Sequence, residues 1–479
     1  MSSCCHLEVP LDTLMVDQIR KIIIPMDMPK LIIHQKQQAP MKKIFFFSLI
    51  MLLNVANFQT AQAFKNTPQQ SEANKEYLSR PEGKYSVSFK DFHWINNHRC
   101  PDDFYIKGKN ETDFSKENQS KFCREIMTRI YYPSAEKLSN QKRVYYYSPM
   151  IKAQENFIDN LNIPNLSRKE INTLSEIKSF TMENKSYVKN KSFPILLFNP
   201  GYGCDFQIYE NILTDIVSHG YIVIAINNTF ISQAIQFPDG RTVKIASDVD
   251  LSIKQEDDSV LSDIVFVRNK IKFLKIHEPI LSAISTARIG VFGHSIGGFS
   301  IVEAIRKQPH LFDVAALLDA IPVTFGTRMY SPNEMKGFEI PVMRLFSAEW
   351  RSFDTFSTPR EAQFILNANN FNVLLSPNMQ DTTYTRHNSF TDLSTLQYHP
   401  VSEKFTEYQK EQCHKNLTQQ CPKDPGGVGT ANGWHERKVI NKYLIQFFDI
   451  YLKNKSDLDL EKCRRISKDT ILSCGKFIN

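Results

Sequence analysis

A serine framed as Gly293-His294-Ser295-Ile296-Gly297, with Gly298 next in line, has the residue types and spacing of a nucleophile elbow. In such a turn the chain swings sharply from a strand into a helix. Small residues two positions either side of the serine let the backbones pass, and the hydroxyl is left at the tip. A serine in an ordinary tight turn can carry the same pattern, so the flanks decide. Ile289-Gly290-Val291-Phe292 reads as a buried strand, and residues 299–305 continue with helical apolar spacing. Ser295 is therefore the candidate nucleophile. Because a serine hydroxyl is weak, the chain must also provide a histidine to take its proton, an acid to fix that histidine's tautomer, and backbone amides to hold an oxyanion.

In the chain order that goes with an elbow, acid and histidine follow the serine. His387 lies in the polar stretch Thr385-Arg386-His387-Asn388-Ser389-Phe390-Thr391-Asp392, just beyond a predicted core strand, whereas His399 and His414 lie further on. Two acids stand at predicted strand ends: Asp319 after the apolar run 315–318, and Glu349 one strand later. Either position suits the role, although a strand-end Asp can also cap the next segment and Glu349 can simply face solvent. One oxyanion amide is that of Ile296, directly after the nucleophile. The other is expected in the glycine-bracketed turn Asn199-Pro200-Gly201-Tyr202-Gly203, at the backbone N–H of Tyr202.

The elements that must position these residues follow from periodicity. Strands are predicted near 85–92 and 126–132, with a third near 144–147, as antiparallel additions to one sheet edge. From residue 194 the pattern becomes regular. Strands at 194–199, 221–226, 289–292, 314–318, 341–346 and 371–375 alternate with helices at 208–218, 260–275 and 299–305, and a helix at 440–453 closes the core. Such alternation implies an α/β protein with a mostly parallel central sheet and helices on both faces. Insertions are expected at 107–121, 151–192 and 408–436, the second of them on the surface, in one catalytic domain spanning 83–455 with a tail at 456–479. The basic residues Arg268, Lys270, Lys272 and Lys275 read as the solvated outer face of their helix.

Met41-Lys42-Lys43, the apolar run 44–53 and Ala61-Gln62-Ala63 describe a secretory signal peptide at 41–63, with the mature chain from Phe64 and a flexible lead-in to residue 82. Residues 1–40 precede that signal, which points to Met41 as the start of translation. Export implies an oxidising compartment, where Cys100 with Cys123, Cys413 with Cys421, and Cys463 with Cys474 are candidate bridges. Cys204 would then be left over as a buried small hydrophobe. The net charge of +7 is spread along 479 residues, which disfavours a nucleic-acid partner. No phosphate-binding GxxxxGK[ST] loop, dinucleotide GxGxxG fingerprint or HExxH motif occurs, so no metal and no cofactor is expected.

The blocks Asn199-Pro-Gly-Tyr-Gly203, Ser218-His-Gly-Tyr-Ile-Val223, Gly293-His-Ser-Ile-Gly-Gly298, Leu318-Asp-Ala320 and His387-Asn-Ser-Phe-Thr-Asp392, in this order, resemble those of the plasma-type platelet-activating factor acetylhydrolases and their bacterial lipase-like relatives. Arg129-Ile-Tyr-Tyr-Pro133 is similar too, so the resemblance runs from about residue 85 to about 453. It implies an α/β-hydrolase fold and a triad of Ser295, Asp319 and His387, favouring Asp319 over Glu349. It also implies metal-free hydrolysis of esters at short or oxidised acyl chains of phospholipids, with transient lipid-surface contact and no obligate protein partner. The insertions 107–121 and 408–436 depart from the family pattern. A general esterase, a lipase or a polyester hydrolase would use the same triad, and a catalytically silent binding module could share the fold.

Overall fold

The computed structural model describes residues 76–100, 102, 123–146, 167–245, 253–280, 284–320, 338–348, 370–375, 384–402, 428–456 and 470–474. The strands in chain order are β1 (Ser86–Asn96), β2 (Arg124–Ser134), β3 (Thr181–Glu183), β4 (Phe193–Asn199), β5 (Ile222–Asn228), β6 (Ala234–Gln236), β7 (Thr242–Lys244), β8 (Ile284–His294), β9 (Val314–Leu318), β10 (Val342–Phe346), β11 (Asn370–Leu375) and β12 (Thr470–Cys474). Four longer helices accompany them: α1 (Glu210–Ser218), α2 (Ile253–His277), α3 (Ile296–Lys307) and α4 (Gly433–Lys453). Ten strands form one sheet in the order β12-β11-β10-β9-β8-β4-β5-β2-β1-β3, and β6 with β7 makes a separate hairpin. From β11 through β5 every neighbouring pair is parallel. The fold is that of an α/β-hydrolase.

Burial explains why these runs settle as central strands. All seven residues of β4 and all seven of β5 are buried, as parallel strands covered on both faces require. Their alternation divides the core in two. Leu196, Phe198, Val223, Ala225 and Phe292 pack with α1 and α4 on one face. Ile195, Leu197, Ile222, Ile224 and Val291 pack with α2 and α3 on the other. Each fully buried aliphatic or aromatic side chain contributes about 1.5–3 kcal/mol, so the two clusters hold the sheet rigid beneath its loops.

The antiparallel edge differs from expectation in one strand. Val144 and Tyr145 form no strand: Tyr145 makes a single bridge with Lys178, and the third edge strand is β3, which runs parallel to β1. The four-residue run 144–147 is too short to reveal its partner. β3 belongs to the stretch expected as a surface insertion, yet Ile177, Phe180 and Met182 are buried. The far ends of β1 and β2 are joined by the disulfide Cys100–Cys123, one of the expected pairs. Beside it Arg124 grips Asp263 of α2 through Nε (3.1 Å) and Nη2 (2.6 Å), which secures that edge to the helical layer.

At the C-terminal side, α4 begins at Gly433, seven residues before the predicted start. Asn432 caps it by accepting the N–H groups of Trp434 and His435. The expected insertion at 408–436 therefore ends inside a helix. The tail supplies β12, antiparallel to β11. Residues 1–75, the insertion 107–121, Glu349 and His414 lie outside the described residues, as does the pairing of Cys413 with Cys421. Among the described residues no helix is long and apolar enough to cross a membrane.

Candidate active site

The elbow forms where β8 meets α3, at the carboxyl end of the parallel strands. Ser295 holds φ 53° and ψ −123°, a conformation that side-chain-bearing residues rarely adopt. Its neighbours make this geometry possible. A Cβ on Gly297 would sit 2.3 Å from the Asn199 carbonyl oxygen and 2.6 Å from that of Pro200, and one on Gly293 would sit 2.8 Å from the Gly297 backbone. On Gly298 it would meet the Ala320 Cβ at 2.5 Å. The glycines are thus dictated by close passage of the Asn199–Pro200 backbone and of Ala320 just beyond β9.

The acid is tied to the elbow through the backbone. Ser295 donates its N–H to Leu318 O (3.0 Å), and Asp319 is the next residue, also at positive φ (49°). Asp319 is buried and its carboxylate is fully engaged. Oδ1 accepts the Ser347 N–H (2.6 Å), and Oδ2 accepts the Ser347 hydroxyl (3.1 Å) and hydrogen-bonds His387 Nδ1. Ser347 follows β10, so strand ends of β9 and β10 together aim the carboxylate. With Nδ1 bonded to an ionised carboxylate, that nitrogen carries the proton and Nε2 is the acceptor nitrogen.

His387 opens a tight turn, His387–Phe390, and is nearly buried. Its ring lies against that of His294, 4.6 Å between centroids, which places it beside the elbow. Burial, then the neighbouring His387, hold the His294 pKa well below the usual histidine range. His294 therefore stays neutral and adds no charge beside an imidazolium on His387. His399, the other described rival, is buried against Tyr77 (4.6 Å) and accepts the Val401 N–H (3.3 Å), both structural roles.

The turn after β4 carries Tyr202, which is half-buried. Three of its amides are committed elsewhere: Gly201 N–H to Tyr209 Oη (3.0 Å), Gly203 N–H to Ile231 O (2.9 Å) and Cys204 N–H to Gly201 O (3.1 Å). Ile296 opens α3, where a first-turn N–H has no acceptor within the helix. Cys204 is buried, as expected, but it is disulfide-bonded, which corrects its being left out of the bridges.

Tyr209, Ser347, Asp392 and Arg437 had no role in the sequence reading. Asp392, five residues after His387, caps α1 by accepting the N–H groups of Glu210 (2.8 Å) and Asn211 (3.1 Å), and it accepts the Tyr146 hydroxyl at 3.2 Å. Burial pushes its pKa up to about 8, against the opposing charge of Arg437 and the bonds from Asn211 and Glu210. Arg437 of α4 is buried and donates to Ser389 O (3.0 Å), Thr391 O (2.6 Å) and Ser394 Oγ (2.8 Å). Asp392 stands five residues after His387 in the sequence, whereas a buried arginine gives no signal. Among the described residues no group of three His, Cys, Asp or Glu side chains is placed to hold a metal.

Residues 112–248 match the family model described as platelet-activating factor acetylhydrolase, isoform II. Over that stretch the chain is similar to the acetylhydrolases of this family. Over 172 residues it is 27% identical to a probable 1-alkyl-2-acetylglycerophosphocholine esterase of Arthroderma benhamiae, covering 34% of this chain and 42% of that protein. Over 125 residues it is 30% identical to a putative non-heme haloperoxidase of Mycobacterium phage D29, covering 26% and 35%. The chain thus spans less than half the length of these curated relatives. A ferulic acid esterase from Streptomyces cinnamoneus matches with a TM-score of 0.56 at 21% identity, covering 82% of this chain and 98% of that one, a likeness of fold.

Proposed function

We propose that this acetylhydrolase-like chain is an exported serine esterase that cleaves carboxylic esters, with short or oxidised acyl chains of phospholipids as its substrate class. The observation that carries the reading is the path from Ser295 through Leu318 to Asp319 and on to His387. In the proposed reaction His387 Nε2 takes the proton of Ser295 Oγ as that oxygen attacks the ester carbonyl. Asp319 holds Nδ1–H and offsets the imidazolium charge, and the N–H groups of Tyr202 and Ile296 receive the oxyanion. The imidazolium then gives its proton to the leaving alkoxide, and water, activated by the same histidine, releases the acid from the acyl-enzyme. The family match supports the ester class, and the phospholipid preference rests on the acetylglycerophosphocholine esterase likeness. Export rests on the 41–63 signal and agrees with a disulfide at the end of β1.

The test is hydrolysis of esters of graded acyl length, including phospholipids with a short second chain, by the wild-type chain and by Ser295→Ala. Turnover is expected to fall by about 10⁴-fold or more in the variant. Undiminished activity there would overturn the nucleophile assignment. Cleavage of simple soluble esters alone would keep the triad and withdraw the phospholipid class. Activity on no ester would favour a silent binding module on this fold. The mass of the exported protein checks the signal: a chain beginning at Phe64 is expected.

A further inference from the structure

We propose that Tyr209 is a positioning residue that holds the oxyanion loop and the elbow in register; the proposal rests on the serine-esterase reading above. Tyr209 is fully buried at the end of the turn Phe206–Tyr209, which Asp205 starts by accepting the Gln207 N–H at 2.8 Å. Its ring packs on Phe198 of β4, 4.8 Å between centroids. Its hydroxyl meets two parts of the site at once: it accepts the Gly201 N–H (3.0 Å) and lies 2.8 Å from His294 Nδ1.

A phenol has one proton. With the oxygen already accepting from Gly201, the arrangement that uses this proton directs it to His294 Nδ1, so the His294 ring proton sits on Nε2. The hydroxyl thus joins the residue before Tyr202 to the residue before Ser295. Gly201 and Gly203 bracket Tyr202, and glycine is the residue least able to hold a peptide plane by itself. Ile231 O fixes the Tyr202–Gly203 plane by accepting from Gly203, and Tyr209 fixes the Pro200–Gly201 plane by accepting from Gly201, so the plane between them, which carries the Tyr202 N–H, is held from both ends. The next residue, Glu210, has its N–H on Asp392 of the histidine loop, so the short run Tyr209–Glu210 touches all three parts of the site.

Tyr209→Phe keeps the ring and its packing while removing the hydroxyl. On a short-chain nitrophenyl ester kcat is expected to fall by about 10- to 100-fold, less than the loss of a whole oxyanion donor, with KM within about twofold. Affinity for a trifluoromethyl ketone, whose adduct with the serine carries an oxyanion, should fall in parallel with kcat/KM. A merely structural role would lower the melting temperature without that parallel. Unchanged kcat and ketone affinity in Tyr209→Phe, beside an inactive Ser295→Ala, would overturn the proposal alone. An active Ser295→Ala would overturn the esterase reading instead. If Tyr209→Phe fails to fold, His294→Gln removes the other partner of the hydroxyl, and ketone affinity equal to wild type in that variant overturns the proposal.

Discussion

The elbow and the histidine loop are two halves of the proposed site, held by opposite means. The elbow is positioned by exclusion: three glycines leave no room for a side chain where the Asn199, Pro200 and Ala320 segments pass. The histidine loop is positioned by attachment. Asp392 fastens it to the N-terminus of α1, and Arg437 reaches from α4 to two of its carbonyls. Exclusion is local and written in small residues near the serine. Attachment is long-range, since Asp392 and Asn211 are 181 positions apart.

The contrast can be broken most severely at the elbow. In Gly297→Ala the new methyl must displace the backbone of the oxyanion loop, because no flexible side chain can yield. Turnover is expected to drop by about 100-fold or more, since misplacement by about 1 Å has that effect, with about 1–3 kcal/mol lost from stability. Near-normal kcat would show that the loop is not fixed by contact with the elbow. On the other side, Arg437→Met leaves the Ser389 and Thr391 carbonyls without this donor. A loss of about 3 kcal/mol in urea unfolding is expected. The accompanying fall in turnover should be smaller, about tenfold, because Asp392 still anchors the loop. Unfolding free energy equal to wild type would remove attachment as the explanation.

The mildest change is at Asp392 and shows in pH dependence. Its folded pKa of about 8 lies above the unfolded value near 4, so the folded chain keeps a proton that the unfolded chain releases. This group's contribution is fully present below about pH 4 and is lost as pH rises toward 8. Asp392→Asn cannot titrate. The melting temperature of the variant relative to wild type should therefore climb between pH 4 and 8. Parallel melting profiles for the two proteins would contradict a titrating Asp392.

The same contrast explains what was legible in the sequence. Ser295, the strand–turn–helix around it and the parallel strands β4, β5, β8, β9 and β10 could be read from glycine spacing and apolar runs, because their constraints act between near neighbours. Asp319 and Glu349 could not be separated from spacing alone, since both end apolar runs. Among the described residues it is Asp319 that meets His387, through the three-dimensional approach of β9 to the loop. Arg437 was hidden because arginine on a helix ordinarily faces water, and β3 and β12 were hidden because three to five residues identify no partner. Cys204 was misread because cysteines close in sequence were paired first.

The strand β12 carries a consequence for how this edge of the sheet is closed. Phe371 of β11 is paired with Cys474, so one margin of the sheet waits for residues made about a hundred positions later. During synthesis every parallel strand can be in place while β11 still offers an open row of N–H and C=O groups to any passing chain. Nascent molecules are therefore adhesive along β11 until Thr470–Cys474 emerges, and that strand seals the row.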